Sequence, residues 1–145
     1  MQSLAGDFAQ AYNIRKKRGG AFWGDRYHAC QIEGGEHLWN CLKYVDMNMV
    51  RAGAVDHPSQ WRWCGYQETA GLRQRYRLID RSALMDALGD GSTMESFKKN
   101  YSFCIEEAVS AQEFSREAMW SESLAVGSEG FVTEVEQSLR NRFRK

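Results

Sequence analysis

No Cys-x-x-Cys pair occurs in this sequence, and its four cysteines, Cys30, Cys41, Cys64 and Cys104, are widely spaced. That spacing argues against a zinc site and against a secreted disulfide framework. No run approaches the roughly 20 apolar residues of a membrane span, and no apolar signal region opens the chain. The expected setting is a reduced, soluble, cytoplasmic protein. His-x-His and His-Glu-x-x-His are missing, no Ser-His-Asp arrangement is suggested, and no glycine-rich phosphate loop precedes a helix. Repeats and low-complexity stretches are missing too. So is net charge: 19 Lys/Arg stand against 19 Asp/Glu, and the total alone points to no anionic partner.

What is present is a core. Hydrophobic residues make up 43% of the 145 residues, with five Trp, six Tyr and seven Phe. That composition buries itself rather than remaining disordered, and the length suits one domain, or one domain with a helical appendage. The charge is unevenly spread. Residues 1–80 carry eleven Lys/Arg against eight Asp/Glu, a net of +3; residues 81–145 carry eight against eleven, a net of −3. The front half is where an anionic ligand is to be sought.

Met1, Leu4, Phe8, Ala11 and Tyr12 recur at helical spacing and predict a first helix with one buried face. The run Arg15-Lys16-Lys17-Arg18 suits the negative end of its dipole, and Gly19-Gly20 is expected to stop it. A domain opening directly on such a helix predicts a truncated chain. Residues 26–32 read as a strand whose neighbours are expected in a missing segment, in another chain, or nowhere. Residues 36–50 form the clearest helix, with Leu38, Leu42, Val45 and Met49 as its core stripe and Gly53 as its end. After a short aromatic turn or helix at 59–67 and an irregular stretch that buries Leu78 and Ile79, a short helix follows at 81–88. Helices are then predicted over 93–110 (Met94, Phe97, Tyr101, Ile105, Ala108) and 111–124 (Phe114, Ala118, Met119). A last helix, capped by Gly127-Ser128, carries Phe131, Val132, Val135, Leu139 and Phe143. The organisation expected is 1–67, a connector at 68–90, and a helical extension at 91–145, with Gly-Asp-Gly-Ser at 89–92 as the internal boundary.

On the 36–50 helix, His37, Cys41, Tyr44 and Asn48 share one face about 100° from the apolar stripe. Tyrosine is a covalent nucleophile and the asparagine amide oxygen a hard ligand for Mg²⁺ or Mn²⁺. Against this stands a plainer reading, in which Tyr44 is half-buried packing and Asn48 caps the helix end. A second candidate is Arg15, Lys16, Lys17 and Arg18 followed by Trp23, Arg26 and Tyr27, which interleaves cations with rings that stack on single-stranded bases. Its plainer reading is a solvated helix end. Helices 111–124 and 128–143 have the outline of a helix-turn-helix, but Glu129 and Phe131 make a poor start for reading DNA. His28 and His57 read as surface or loop residues rather than ligands.

Three segments resemble one family in order and spacing: YNIRKKRGGAFWGDRYHAC, HLWNCLKYVDMNMVRAGAV and HPSQWRWCGY. They are similar to the REP-associated tyrosine transposases, relatives of the single-tyrosine (HUH) insertion-sequence transposases, over residues 1–67. Two later segments, Arg-Tyr-x-Leu-Ile-Asp and Gly-Ser-x-x-Phe, resemble the extension of longer members. The resemblance implies an α+β origin, with residues 1–67 as the second helix, last strand and tyrosine helix of a ferredoxin-like sheet domain; the chain as given is expected to be mainly α. It implies that Tyr44 attacks a DNA phosphodiester and leaves a 5′-phosphotyrosine and a free 3′-hydroxyl. A divalent metal, Mg²⁺ or Mn²⁺, would be held by two histidines of a His-hydrophobic-His motif and by Asn48. Arg15 to Arg18, Trp23, Arg26 and Arg51 match positions near DNA, and the family works as monomers or homodimers. The chain departs from the pattern at Met49 in place of proline and at Cys64-Gly65 in place of Ser-Ser. The histidine pair is expected upstream of residue 1, so cleavage and metal binding are not expected of this sequence by itself. The alternatives are a non-catalytic DNA-binding module and a helical interaction module.

Overall fold

The computed structural model describes residues 2–24, 28–72, 77–89, 91 and 93–143. Its elements in chain order are α1 (Gln2–Lys16), β1 (Gln31–Ile32), α2 (Glu36–Asp46), α3 (Asn48–Arg51), α4 (Tyr66–Thr69), α5 (Arg81–Leu88), α6 (Met94–Ser110), α7 (Met119–Glu122), β2 (Ala125–Val126) and α8 (Glu129–Phe143), with a 3-10 turn at Pro58–Gln60. The molecule is mainly helical, as its composition and periodicity imply.

α1 forms where expected, but its apolar stripe does not enter the main core. Leu4 is 69% exposed and Phe8 53%. The stripe packs on the loop that follows it: Phe8 and Tyr12 lie on Phe22 and Trp23 with ring centroids 4.8–6.1 Å apart, and Trp23 Nε1 donates to the Ala5 carbonyl at 3.0 Å. Lys17, at φ 50°, turns the helix off before the glycines are reached. The Arg18 amide closes the end by donating to the Asn13 carbonyl at 3.0 Å, the six-residue closure of a Schellman turn.

β1 finds its partner within this chain, which corrects the expectation of a strand without neighbours here. It pairs in parallel with β2, Gln31 opposite Ala125 and Ile32 opposite Val126. The Gln31 and Glu33 amides donate to the carbonyls of Leu124 and Val126, each at 2.9 Å. The partner lies about ninety residues downstream, beyond the reach of local periodicity. The start of the expected strand, at 26–27, lies outside the described residues.

α2 and α3 are one helical run broken at Met47, which keeps helical angles, and Gly53, at φ 67°, ends the run as expected. Its buried stripe is rotated by one residue from the one predicted. Val45 is 59% exposed, whereas Asp46, Met47 and Val50 are buried, with Leu38, Trp39 and Leu42 packed partly against them. Hydrophobicity alone assigns Asp46 to the surface. It is inside because its Oδ1 accepts from the Tyr66 amide at 2.9 Å and its Oδ2 from the Tyr101 hydroxyl at 2.8 Å. A buried carboxylate with two donors is tolerable where an unpartnered one is not.

The core cluster joins Met47, Val50, Tyr66 and Leu88 to Phe97, Tyr101, Ile105 and Ala108 of α6, whose i, i+4, i+8 and i+11 spacing was legible in the sequence. Trp39 stands edge-on to Phe97 and Tyr101, at 5.5 and 5.3 Å between centroids. The 77–79 segment is fixed through its backbone, and of the two side chains expected to bury themselves Ile79 is half-buried and Leu78 is not. Glu68 accepts from the amides of Leu78 and Ile79 at 2.9–3.1 Å, while the Leu78 side chain is exposed. Residues 111–118 form no helix, so a helix-turn-helix with α8 is not made: only α7 is helical, and β2 intervenes. At the β2–α8 junction Gly127 is required, because a Cβ there would lie 2.6 Å from both Glu33 Oε2 and the Phe131 ring. Among the described residues no helix is long and apolar enough to cross a membrane.

Candidate functional site

The face of α2 and α3 that carries Tyr44 looks into a cleft of about 380 Å³. His37, Asn40, Lys43, Tyr44, Met47 and Arg51 line it from these helices. Glu113, Ser115, Glu117, Met119 and Trp120 line it from the segment between α6 and β2. Helical geometry explains the first set, since steps of three, four and seven residues from His37 return to one side of the helix.

Tyr44 is half-buried between two planar groups. The Arg51 guanidinium carbon lies 3.7 Å from its ring centroid, and the Trp120 ring lies on it at 5.9 Å with an interplanar angle of 38°. Arg51 is positioned by its own helix: Nη1 donates to the Tyr44 carbonyl at 2.8 Å, and Nη2 to Asn48 Oδ1 at 3.4 Å. These two bonds use two of the five guanidinium donors. Lys43 sits one residue before the tyrosine and pairs with Glu113 at 2.7 Å. The hydrogen bond to Glu113 is the main reason its ammonium is held above the ordinary lysine range; burial opposes it, and the charges of Cys104, Glu113 and Glu117 add to it. His37 lies 3.9 Å from Glu33.

Of the residues singled out in the sequence, the structure brings together Tyr44, Arg51 and His37 in the cleft. Asn48 is exposed and touches the site only through Arg51, and Cys41 does not line it. Arg15, Lys16, Lys17, Arg18 and Trp23 form a separate exposed patch, in which Arg15 lies 5.8 Å from the Tyr12 ring and Arg18 5.8 Å from the Phe22 ring. Arg26 and Tyr27 lie outside the described residues. His28 contacts the Ser123 carbonyl at 2.9 Å, and His57 caps the 3-10 turn by accepting from the Ser59 amide; both hold loops in place. Sequence reasoning missed Lys43, Glu113, Glu117 and Trp120. Lys43 was within reach, next to Tyr44 on the helix, but the other three lie about seventy residues away with no local signal.

The implied metal does not fit this donor set. Asn48 offers one amide oxygen, and that oxygen accepts at 3.4 Å from the Arg51 guanidinium, which would repel a divalent cation. Among the described residues no group of three or more His, Cys, Asp or Glu side chains is placed to hold a metal ion. All four cysteines are free, and burial raises the thiols of Cys30, Cys41 and Cys64 above their ordinary range.

No family model, curated protein or solved structure matches the chain. Both the cleft and the basic patch set cations beside aromatic rings.

Proposed function

We propose that this chain binds hairpin or single-stranded DNA as the tyrosine-bearing portion of a transposase similar to the REP-associated group. The observation that carries the reading is the tyrosine cleft: a tyrosine with a guanidinium 3.7 Å from its ring centroid, in a cleft that an ammonium, Lys43, also lines. Cations lining the cleft of a nucleophilic tyrosine attract a phosphodiester to it. The patch at Arg15, Lys16, Lys17, Arg18 and Trp23 would hold a further stretch of strand. On this reading α1, β1 and α2 correspond to the second helix, last strand and tyrosine helix of a ferredoxin-like domain.

Strand transfer on this reading exchanges one phosphodiester for another. The Tyr44 oxygen bonds to phosphorus as the bond to the 3′ oxygen breaks; the phenol proton is lost and the 3′ oxygen takes one up. Attack by a 3′-hydroxyl reverses the step. The sequence holds no His-hydrophobic-His pair and Asn48 faces Arg51, so DNA binding is the activity proposed for this chain by itself. Cleavage would need histidine ligands supplied by another segment or chain.

The test is fluorescence anisotropy with a labelled DNA hairpin and a labelled single strand across a salt series. The logarithm of affinity should fall linearly with the logarithm of salt concentration, and Tyr44→Phe should bind as tightly as the parent. Failure to bind either DNA at low salt would remove the reading. What would remain is a helical interaction module, the reading favoured by Leu4 and Ile14, which lie exposed on α1.

A further inference from the structure

We propose that residues 111–120 are an internal acidic strap which occupies the phosphate position of the Tyr44 cleft and must be displaced for DNA to bind there. The proposal rests on the DNA-binding reading above and adds its regulation.

The strap leaves α6 through a left-handed turn at Gln112, φ 53°. The Glu113 amide donates to the Ala108 carbonyl at 3.0 Å and the Phe114 amide to the Gln112 carbonyl at 2.8 Å, and the chain then crosses without regular structure to α7. Residues 111–119 are all exposed. A segment this thinly packed is held by the few side chains it sets against its neighbours, and here those meet the tyrosine site. Glu113 lies on Lys43 at 2.7 Å, and Trp120 lies on the Tyr44 ring. Glu117 accepts from Trp120 Nε1 at 3.1 Å and lines the same cleft.

A carboxylate and a phosphodiester make the same demand on an ammonium: one negative charge and oxygen acceptors in a plane or fan around it. Lys43 has donors for both but a charge that neutralises only one. Glu113 pairs with Lys43 and Glu117 lines the same cleft, so two strap carboxylates offset the two cations, Lys43 and Arg51, of its helix wall. A polyanion entering it must first break the Lys43–Glu113 pair and then meet Glu117. The pair is partly exposed, hence weak enough to be exchanged, but it is intramolecular, so it is re-formed at high effective concentration. Such an arrangement reduces apparent DNA affinity by the fraction of time that the strap is in place.

The experiment compares hairpin-DNA affinity by anisotropy, at one low salt concentration, for the full chain and for Glu113→Gln, Glu113→Gln/Glu117→Gln and Glu134→Gln. The last removes an equal charge from the exposed face of α8 and corrects for net charge. Both strap variants should bind about fivefold more tightly than Glu134→Gln, and the gain should vanish in a Lys43→Ala background. If the parent chain binds DNA but the strap variants gain no more than Glu134→Gln, the strap is overturned and the DNA reading stands. If no variant binds DNA, the DNA reading fails and the strap with it.

Discussion

Asp46 is a carboxyl displaced from its ordinary range by its interior position. Burial raises its carboxyl above the ordinary value of 3.8, with the hydrogen bonds from Tyr101 and Tyr66 opposing that rise. The folded protein therefore keeps the Asp46 proton at pH values where the unfolded chain has released it. Stability from this group is greatest below 3.8, falls as pH rises through the raised folded value, and is level above it. Asp46→Asn removes the titration while keeping an oxygen for the Tyr66 amide. Urea unfolding at a series of pH values should show the parent losing stability relative to Asp46→Asn as pH rises through that window; an unchanged or opposite difference would refute the assignment. Tyr101→Phe leaves the buried carboxylate with one donor fewer and should cost about 1–2 kcal/mol. Nothing in the hydrophobic pattern marks Asp46 as interior, because its two partners come from α4 and α6. Tyr44 was legible, since its helical face could be drawn from residue spacing, but its neighbour Trp120 was not. Arg51→Ala should weaken hairpin binding in anisotropy by about tenfold, because a guanidinium at a phosphate contributes a charge-assisted bond; equal affinity would move DNA off this cleft.

At the scale of elements, a side-chain cap and a left-handed glycine set helix ends. Thr93 caps α6 with its hydroxyl accepting from the Ser96 amide at 3.2 Å, and Gly89, at φ 67°, ends α5. Thr93→Ala should lower stability by about 1 kcal/mol in denaturant titration. Helices α2, α5, α6 and α8 were visible because each carries enough turns for periodicity to exceed noise. The expected helix at 111–124 was not formed, although Phe114, Ala118 and Met119 suggest one. Competition decided it: Glu113 and Trp120 make their contacts across the cleft on Lys43 and Tyr44, and the chain bends to deliver them. Gly127→Ala should disturb the junction of β1, β2 and α8, since its Cβ would press on Glu33 and Phe131; a loss of about 1–3 kcal/mol is expected in the same titration.

At the scale of the whole molecule, net charge zero conceals a cationic front half and an anionic back half that meet at the cleft. Replacing Arg15, Lys16, Lys17 and Arg18 together by Ala should flatten the salt dependence of single-strand binding by about 2–3 units of slope, at roughly 0.7 per phosphate contact. An unchanged slope would assign the electrostatics to the cleft alone. The core cluster draws on residues from 47 to 108. The small sheet then ties residues 31–32 to 125–126.

The sequence by itself determined that the chain is mainly helical, where most of the helices begin and end, that α6 buries Phe97, Tyr101, Ile105 and Ala108, and that Tyr44 shares a helix side with His37. These are local properties, set by spacing along one chain segment and by caps a few residues away. Only the tertiary structure decided that β1 pairs with β2, that Asp46 is interior, and that an acidic strap lies over the cationic helix face. Each of these depends on groups brought together from twenty to ninety-five residues apart. Burial and ion pairing are indifferent to sequence distance, so no local pattern records them.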